Sequence, residues 1–276
     1  MPHQTANAAQ GGPGGLCIPG DGLAIQMRYL RRERRPGTPP RGRKLQNSFD
    51  ALVHCHSVIK TVSASEKRYI EIVQQHWETV YETKATDQVS WFRPHLETSL
   101  SLIERATGSN RAASIIDVGG GASTLVDDLL ERGYHKLTVL DISHVALDLA
   151  RKRQPDALAK AVSWLRADVT QPGLPLHAYD VWHDRAVFHF LTSPEDRLAY
   201  VRNVAGAVKP GGHVIVSTFG PEGPTKCSGL DVMRYDAAGL HEEFGPRFRL
   251  VESSREIHAT PFGTTQQFLY CYCTLG

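Results

Sequence analysis

The sequence lacks the features that define three common classes of protein. Its longest apolar runs are strand-sized and fall well short of the roughly 20 residues that a helix needs to cross a membrane, so no membrane partner is expected. Its five cysteines form no Cys-x-x-Cys pair and have no histidine at ligand spacing. This pattern predicts neither a bound metal nor a disulfide framework, and it favours a reducing, cytoplasmic location.

Acidic residues are scarce at the amino end of the chain. Residues 1–65 contain nine Lys or Arg and three Asp or Glu, whereas residues 66–276 contain 22 basic and 26 acidic residues. Because residues 1–62 are also rich in Gly and Pro, we interpret them as a disordered basic extension without catalytic duty. An organelle transit peptide, a nucleic-acid-binding arm and a segment outside the native protein stay open as alternatives. The acidic remainder disfavours a nucleic acid partner, because a polyanion would be repelled.

The rest of the chain is organised around one strand-turn-helix-strand unit. The apolar run Ser114–Val118 predicts a buried strand that stops at three glycines. Gly119–Gly121 allow a sharp turn and let a ligand approach where a Cβ would collide. A helix over 122–132 and a strand over 137–140 complete the βαβ unit. Asp141 closes it, where a carboxylate can accept both hydroxyls of a ribose.

Alternating helical and apolar segments continue to the end of the chain. A helix over 194–209 should end in the turn Pro210-Gly211-Gly212, which leads into another strand. Two final strands are separated by turn residues and predict an antiparallel hairpin. The later strands are expected at 162–167, 179–183, 213–219, 248–257 and 266–273.

The glycine turn differs from the dinucleotide-binding pattern G-x-G-x-x-G, because Thr124 occupies the third glycine position. It resembles the first motif of class I S-adenosylmethionine-dependent methyltransferases, which Asp117, Gly119 and Gly121 match. Ser123 stands where this family often has a further glycine. The acid at 141, an acid at 168, the Pro-Gly-Gly turn and the terminal hairpin follow in the family's order.

This resemblance covers residues 65–276 and implies both fold and cofactor. It implies an α/β, doubly wound, mostly parallel seven-stranded sheet with an antiparallel C-terminal strand, which is the Rossmann-like methyltransferase fold. S-adenosylmethionine is the implied cofactor of an enzyme. The domain boundaries expected on this basis are the extension at 1–62, a helical lid at 63–110 and the cofactor-binding domain at 111–276.

The resemblance also implies the residues that bind the cofactor. An acid and two glycines would form the floor, a second acid and its neighbour would hold ribose and adenine, and a third acid and an apolar residue would frame the ring. These residues are Asp117, Gly119, Gly121, Asp141, Ile142, Asp168 and Val169. We add Asp184, because Trp182-x-Asp184-Arg185 is similar to the loop of the thiopurine methyltransferase group, which acts on small thiol-like acceptors.

Further polar and aromatic residues are candidates for contact with the acceptor. As catalytic residues, Arg185 could hold an anionic acceptor and His189 could accept a proton. The alternatives are an Asp184–Arg185 surface pair and a histidine that packs between aromatic rings. Tyr81, Trp91, Phe92 and Cys227 are the candidate substrate contacts, although free cysteines are most often small buried hydrophobes.

The expected activity is methyl transfer to a small-molecule acceptor, a thiol or another nucleophile, by a monomer or weak dimer. Two other classes remain open at this point. One is a protein-lysine methyltransferase, for which an acidic rim would suit a cationic side chain. The other is a protein that binds S-adenosylmethionine without catalysis. A nicotinamide oxidoreductase is a third, more distant alternative.

Overall fold

The apolar segments build a seven-stranded sheet with helices on both faces. The computed structural model describes residues 64–276. The helices are α1 (Ala64–Thr83), α2 (Glu97–Thr107), α3 (Leu125–Glu131), α4 (His144–Arg153), α5 (Asp156–Ala161), α6 (Pro194–Ala207) and α7 (Ala237–Phe244). The strands are β1 (Ser114–Val118), β2 (Lys136–Asp141), β3 (Val162–Arg166), β4 (Tyr179–Arg185), β5 (Val208–Phe219), β6 (Lys226–Cys227), β7 (Leu230–Asp231), β8 (Phe248–Ala259) and β9 (Thr265–Leu275).

The order of the strands confirms the predicted fold class. The sheet runs β3-β2-β1-β4-β5-β9-β8, and β6 pairs with β7 in a separate two-stranded ribbon. Strands β1 to β5 are parallel, whereas β9 is antiparallel to both of its neighbours, β5 and β8. In the register of the central strands, Asp117 of β1 lies between Val139 of β2 and His183 of β4. The carboxyl ends of the central strands therefore meet at one edge, where ligands bind in open α/β sheets.

Each face of the sheet buries its own apolar cluster. Alternate strand residues pack with α2, α3 and α4 on one face, where Ile115 and Ile215 are almost fully buried. The residues between them pack with α6 and α7 on the other, where Trp182 donates from its indole nitrogen to the Tyr200 hydroxyl at 2.9 Å. Because the side-chain period of a strand is two, neighbouring residues of β1, β2 and β4 face opposite layers.

Two element boundaries near the glycine turn and the Pro-Gly-Gly segment differ from the prediction. Helix α3 begins at Leu125 and not at 122, because a turn closed by the Ser123 amide and the Gly120 carbonyl (2.8 Å) occupies the preceding residues. The expected turn at Pro210-Gly211-Gly212 lies inside strand β5, which starts at Val208 with an irregular register against β4. Gly211 absorbs this irregularity with a φ of +75°.

The predicted helices at the amino side are present as α1 and α2, and α1 packs against α4. The prediction missed α5, for which Pro155 is the N-cap residue. The basic extension at 1–62 lies outside the described residues. Within residues 64–276, no helix is both long and apolar enough to cross a bilayer. The same residues contain no cluster of three or more His, Cys, Asp or Glu that could hold a metal ion.

Candidate cofactor and acceptor site

The glycine turn brings the backbone close to side chains from three other segments. Gly119 has a φ of +66°, and its amide donates to the Leu140 carbonyl at 2.7 Å. A Cβ on Gly119 would overlap Val187. A Cβ on Gly121 would lie 2.5 Å from Asp141 Oδ2. Only glycine fits these positions, because neighbouring side chains occupy the space that a Cβ would need.

Asp117 lies directly beneath this turn and is held by a side chain from the neighbouring strand. Its carboxyl is buried, and Oδ1 lies 2.7 Å from His183 Nδ1. His183 Nε2 in turn lies 2.9 Å from the Ser99 hydroxyl on α2. The second carboxyl oxygen of Asp117, Oδ2, is buried and has no hydrogen-bond partner among the described residues. An acceptor atom is thus left at the floor of the site.

Asp141 ends β2 on the same face of the sheet and is held by its own local chain. Its Oδ1 accepts a hydrogen bond from the Ser143 amide at 2.9 Å, and Ser143 caps helix α4 by accepting from the Ala146 amide at 3.1 Å. Burial, opposed by amide hydrogen bonds from Ser143 and Gly121, raises the pKa of Asp141 to about 7. The predicted contact of this carboxyl with ribose hydroxyls stays a prediction, and hydroxyl donors would favour its ionised form.

Glu78 joins helix α1 to the segment that follows Asp141. This buried acid accepts from the Ser143 hydroxyl at 2.6 Å and from the amides of His144 and Val145, each at 3.1 Å. Burial raises the pKa of Glu78, but these hydrogen bonds outweigh burial and leave the pKa below its ordinary value. The ionised Glu78 side chain therefore accepts from the first-turn amides of α4. Its negative charge also stabilises the positive end of the α4 dipole, although Glu78 belongs to α1.

A cleft opens next to the glycine turn and is lined by aromatic and basic side chains. Three of the predicted substrate contacts, Tyr81, Trp91 and Phe92, lie on its wall, together with Asp117, Gly119 and Arg185 from the other predicted sets. The Trp91 ring packs edge-to-face with Tyr81, at a centroid distance of 6.5 Å. The structure thus brings predicted cofactor and acceptor residues to one place.

Arg185 ends β4 and carries its guanidinium to this cleft. Nε donates to the Tyr270 hydroxyl at 3.1 Å and Nη1 donates to the Trp91 carbonyl at 3.2 Å. Nη2 lies 3.6 Å from Glu256 Oε1, beyond hydrogen-bond range, and has no hydrogen-bond partner among the described residues. The guanidinium also lies over the Phe268 ring, with Cζ 4.1 Å from its centroid. Contacts on three sides hold the side chain, and Nη2, although ion-paired with Glu256, makes no hydrogen bond among the described residues. It is not part of a surface pair with Asp184.

Asp184 is placed on the opposite face of the sheet, which contradicts its assignment to the cofactor site. Its carboxyl is fully buried and accepts from the amides of Val187 and Phe188 and from the Tyr200 hydroxyl at 2.6 Å. Burial raises the pKa of Asp184 to about 6 despite these bonds. Asp184 therefore fixes the turn after β4 and has no oxygen facing the cleft.

Neither His189 nor Cys227 lines the cleft, and both are buried in the protein interior. His189 is fully buried between the rings of Phe190 and Phe219, and burial, with Arg185 nearby, lowers its pKa to about 3. An imidazole with so low a pKa is a poor general base, which corrects the prediction that it takes a proton. Cys227 is 3% exposed and burial raises its pKa to about 12, so its thiol stays neutral.

The remaining predicted cofactor residues lie at the ends of β2 and β3. The Ala167 amide donates to the Asp141 carbonyl at 3.0 Å, which brings these two strand ends together. Asp168 Oδ1 accepts from the amide and hydroxyl of Thr170 at 2.7 and 2.8 Å, while Val169 is buried and Ile142 is half-buried. The roles of Ile142, Asp168 and Val169 toward adenine remain predictions.

Sequence reasoning missed His183, Ser99 and Glu78. For His183 the strand period was a usable signal: residues 183 and 185 must share a face with Asp117, while 184 must face away. Ser99 and Glu78 carried no such signal, because their partners lie 84 and 65 residues away in the chain.

These residues fit a ligand that carries a ribose and an ammonium group. Asp141 can accept the hydroxyls, the buried Oδ2 of Asp117 can accept from the ammonium, and the glycine turn leaves room for the chain between the two groups. A nucleoside joined to an amino acid has this combination of groups.

Comparisons with known proteins agree with this chemistry. A family model described as "Methyltransferase domain" matches residues 116–214. EEF1A lysine methyltransferase 2 of Danio rerio is 28% identical over 144 residues, which are 50% of this chain and 56% of that protein. Ubiquinone biosynthesis O-methyltransferase of Vibrio parahaemolyticus is 27% identical over 162 residues, which are 58% of this chain and 64% of that protein. The matched region thus spans less than two thirds of the length of either relative.

A solved structure shares the fold. The 1,6-didemethyltoxoflavin-N1-methyltransferase of Burkholderia thailandensis, with 1,6-didemethyltoxoflavin and S-adenosylhomocysteine bound, superimposes with a TM-score of 0.56 at 16% identity. The superposition covers 76% of this chain and 89% of that one. The sheet order is that of the Rossmann-like methyltransferase fold. Residues 116–214 match a methyltransferase domain, and the comparisons support an enzyme that uses S-adenosylmethionine as its cofactor.

Proposed function

We propose that the protein transfers the methyl group of S-adenosylmethionine to a small anionic acceptor, such as a thiolate or a carboxylate. The observation that carries this proposal is Arg185, whose guanidinium lines the cleft beside the glycine turn with one nitrogen lacking a hydrogen bond. A buried guanidinium is a suitable partner for an anion and is always charged. Tyr81, Trp91 and Phe92 add an apolar wall for the rest of a small molecule.

The residues of the chain have a mainly positional role in this reaction. When bound, S-adenosylmethionine supplies a methyl group that is already activated for in-line displacement. Asp141 and Asp117 orient the two ends of the ligand, and the aromatic wall excludes water from the acceptor. Arg185 holds the acceptor in its ionised form, so no proton has to be removed at the moment of transfer. This suits a site where His189 is too weak a base to help.

A protein-lysine methyltransferase is the second candidate, and it is favoured by the similarity to EEF1A lysine methyltransferase 2. The charges around the cleft favour neither candidate. Arg93 and Arg185 both line the cleft, but Arg93 is ion-paired with Glu97 at 3.0 Å and both guanidinium groups lie 3.6 Å from Glu256, so each has an acidic partner. The acceptor screen described next decides between the two. The excess of acidic residues in 66–276 disfavours a nucleic acid acceptor.

An acceptor screen with methyl-labelled S-adenosylmethionine tests the proposal. The panel contains small thiols, carboxylates, phenols and amines together with lysine-containing peptides. We expect label on thiols or carboxylates. Arg185→Met should raise the KM for such acceptors at least tenfold, because loss of a charge-assisted hydrogen bond costs about 1.5–3 kcal/mol. The exposed Arg249→Met is the matched control and should leave KM unchanged.

Binding of S-adenosylhomocysteine to each variant shows that the fold is intact. Label that appears only on peptides, with an Arg185→Met variant as active as the wild type, would reject the small-acceptor proposal in favour of the lysine alternative.

A further inference from the structure

His183 is a fully buried polar residue that the proposed reaction does not use. It lies opposite Asp117 in the parallel register of β1 and β4, and only 1% of its surface is exposed. Both of its ring nitrogens have side-chain partners, Asp117 at 2.7 Å and Ser99 at 2.9 Å. Burying polar side chains costs folding free energy unless they form hydrogen bonds. The three side chains therefore depend on one another for their positions.

The chemistry of the three groups fixes the direction of the hydrogen bonds. An ionised carboxylate can only accept, so His183 Nδ1 donates to Asp117. In the neutral imidazole Nε2 then accepts, and the Ser99 hydroxyl donates to it. Ser99 is itself fully buried, and its oxygen also lies 3.3 Å from the Tyr270 hydroxyl. Asp117 thus selects the tautomer of His183, Ser99 holds the ring at Nε2, and His183 fixes the rotation of the Asp117 carboxyl.

This rotation leaves the other carboxyl oxygen, Oδ2, next to the glycine turn. Oδ2 is buried without a hydrogen-bond partner among the described residues, and Asp117 lines the cleft beside the glycine turn. A Cβ on Gly120 would overlap this oxygen. An unsatisfied buried carboxylate oxygen beneath a side-chain-free backbone is suited to a cationic donor.

We propose that Ser99 and His183 are positioning residues that orient Asp117 to accept a hydrogen bond from the amino group of the cofactor. This inference rests on the cofactor site of the proposed function and deepens it. It divides the site into two parts. Asp141 and Glu78 serve the nucleoside end, whereas Asp117, His183 and Ser99 serve the amino-acid end.

Two ligands that differ only at the amino-acid end test this division. S-adenosylhomocysteine has both ends, whereas 5′-methylthioadenosine keeps the nucleoside and lacks the amino acid. Calorimetric titration of both ligands should show that His183→Leu weakens S-adenosylhomocysteine binding about tenfold and leaves 5′-methylthioadenosine binding within about twofold. His183→Asn retains a donor near the Nδ1 position and should recover part of the loss. Binding of 5′-methylthioadenosine also shows that the variant is folded.

His213→Asn is the matched control. His213 lies on the adjacent strand β5 and its Nδ1 is 2.8 Å from the Tyr272 hydroxyl, but it stands at the opposite end of the sheet from the glycine turn. The affinity for both ligands should be unchanged in this variant.

A double-mutant cycle on S-adenosylhomocysteine binding checks that His183 acts through Asp117. His183→Leu should add less than a twofold loss when Asp117→Asn is already present. Equal losses for both ligands in His183→Leu, or fully additive losses in the cycle, would overturn the inference. A wild-type protein that binds neither ligand would instead refute the cofactor site on which the inference rests.

Discussion

Asp117 and Asp141 are both buried acids at the carboxyl ends of neighbouring strands, but different parts of the chain hold them. The Asp141 carboxyl takes amide hydrogen bonds from Ser143, two residues later, and from the glycine turn. The Asp117 carboxyl is held by His183, 66 residues away. The proposed nucleoside end of the site therefore depends on a local turn, whereas the proposed amino-acid end depends on the assembled sheet.

The largest effect is expected at the nucleoside end. Asp141→Ala should weaken S-adenosylhomocysteine binding at least tenfold, about 1.4 kcal/mol, because the ribose hydroxyls lose their acceptor. Calorimetric titration measures this change. Asp148→Ala, an exposed acid on α4, is the control and should bind like the wild type. Unchanged affinity in Asp141→Ala would mean that the ribose lies elsewhere.

The second prediction concerns the pH dependence of cofactor binding that Asp141 should cause. With a pKa of about 7, Asp141 of the unliganded protein becomes protonated as the pH falls, and only the ionised form accepts both ribose hydroxyls. A carboxyl with this pKa is about nine-tenths ionised at pH 8 and about one-tenth ionised at pH 6, so S-adenosylhomocysteine affinity should fall about tenfold over this interval. Titrations at the two pH values measure the change. The dependence should vanish in Asp141→Asn, and a dependence that persists there would assign the titration to another group.

The smallest effect is expected at Glu78, which supports the nucleoside end from helix α1. Glu78→Ala leaves the amides of His144 and Val145 without their acceptor, which should lower the free energy of unfolding by about 1–3 kcal/mol. Because Ser143 is also released, affinity for both S-adenosylhomocysteine and 5′-methylthioadenosine should fall about threefold. Urea denaturation and calorimetry measure the two quantities.

Two further variants sharpen this prediction. Glu78→Gln keeps an acceptor oxygen without the charge and should fall between wild type and Glu78→Ala. Glu82→Ala removes an exposed acid one turn further along the same helix and should change neither quantity. An affinity loss confined to S-adenosylhomocysteine would place Glu78 at the amino-acid end. It would contradict the assignment of Glu78 and Asp141 to the same end of the site.

The same contrast between local and distant contacts explains what the sequence could predict. The glycine turn and Asp141 lie close together in the chain, so their pattern predicts both the nucleoside site and the fold class. Asp117 was assigned to the site by its motif, but only the strand period hinted at its partner His183, and nothing in the chain indicated Ser99. His183 meets Asp117, and Ser99 meets His183, only when α2 and β4 pack against β1.

Other errors have equally specific physical causes. Asp184 was selected for its loop motif, although the alternation of β4 directs its side chain to the opposite face of the sheet. There its carboxyl accepts hydrogen bonds from the Tyr200 hydroxyl and two backbone amides. His189 was selected for its residue type, and burial removed its basicity.

A crystal structure of the protein with S-adenosylhomocysteine tests the central claim most directly. The account predicts ribose hydroxyls within hydrogen-bond distance of the Asp141 carboxyl, the amino group beside Asp117 Oδ2, and the thioether facing the cleft that Arg185 and Trp91 line. Density for the ligand at another edge of the sheet, or a ribose without contact to Asp141, would contradict it.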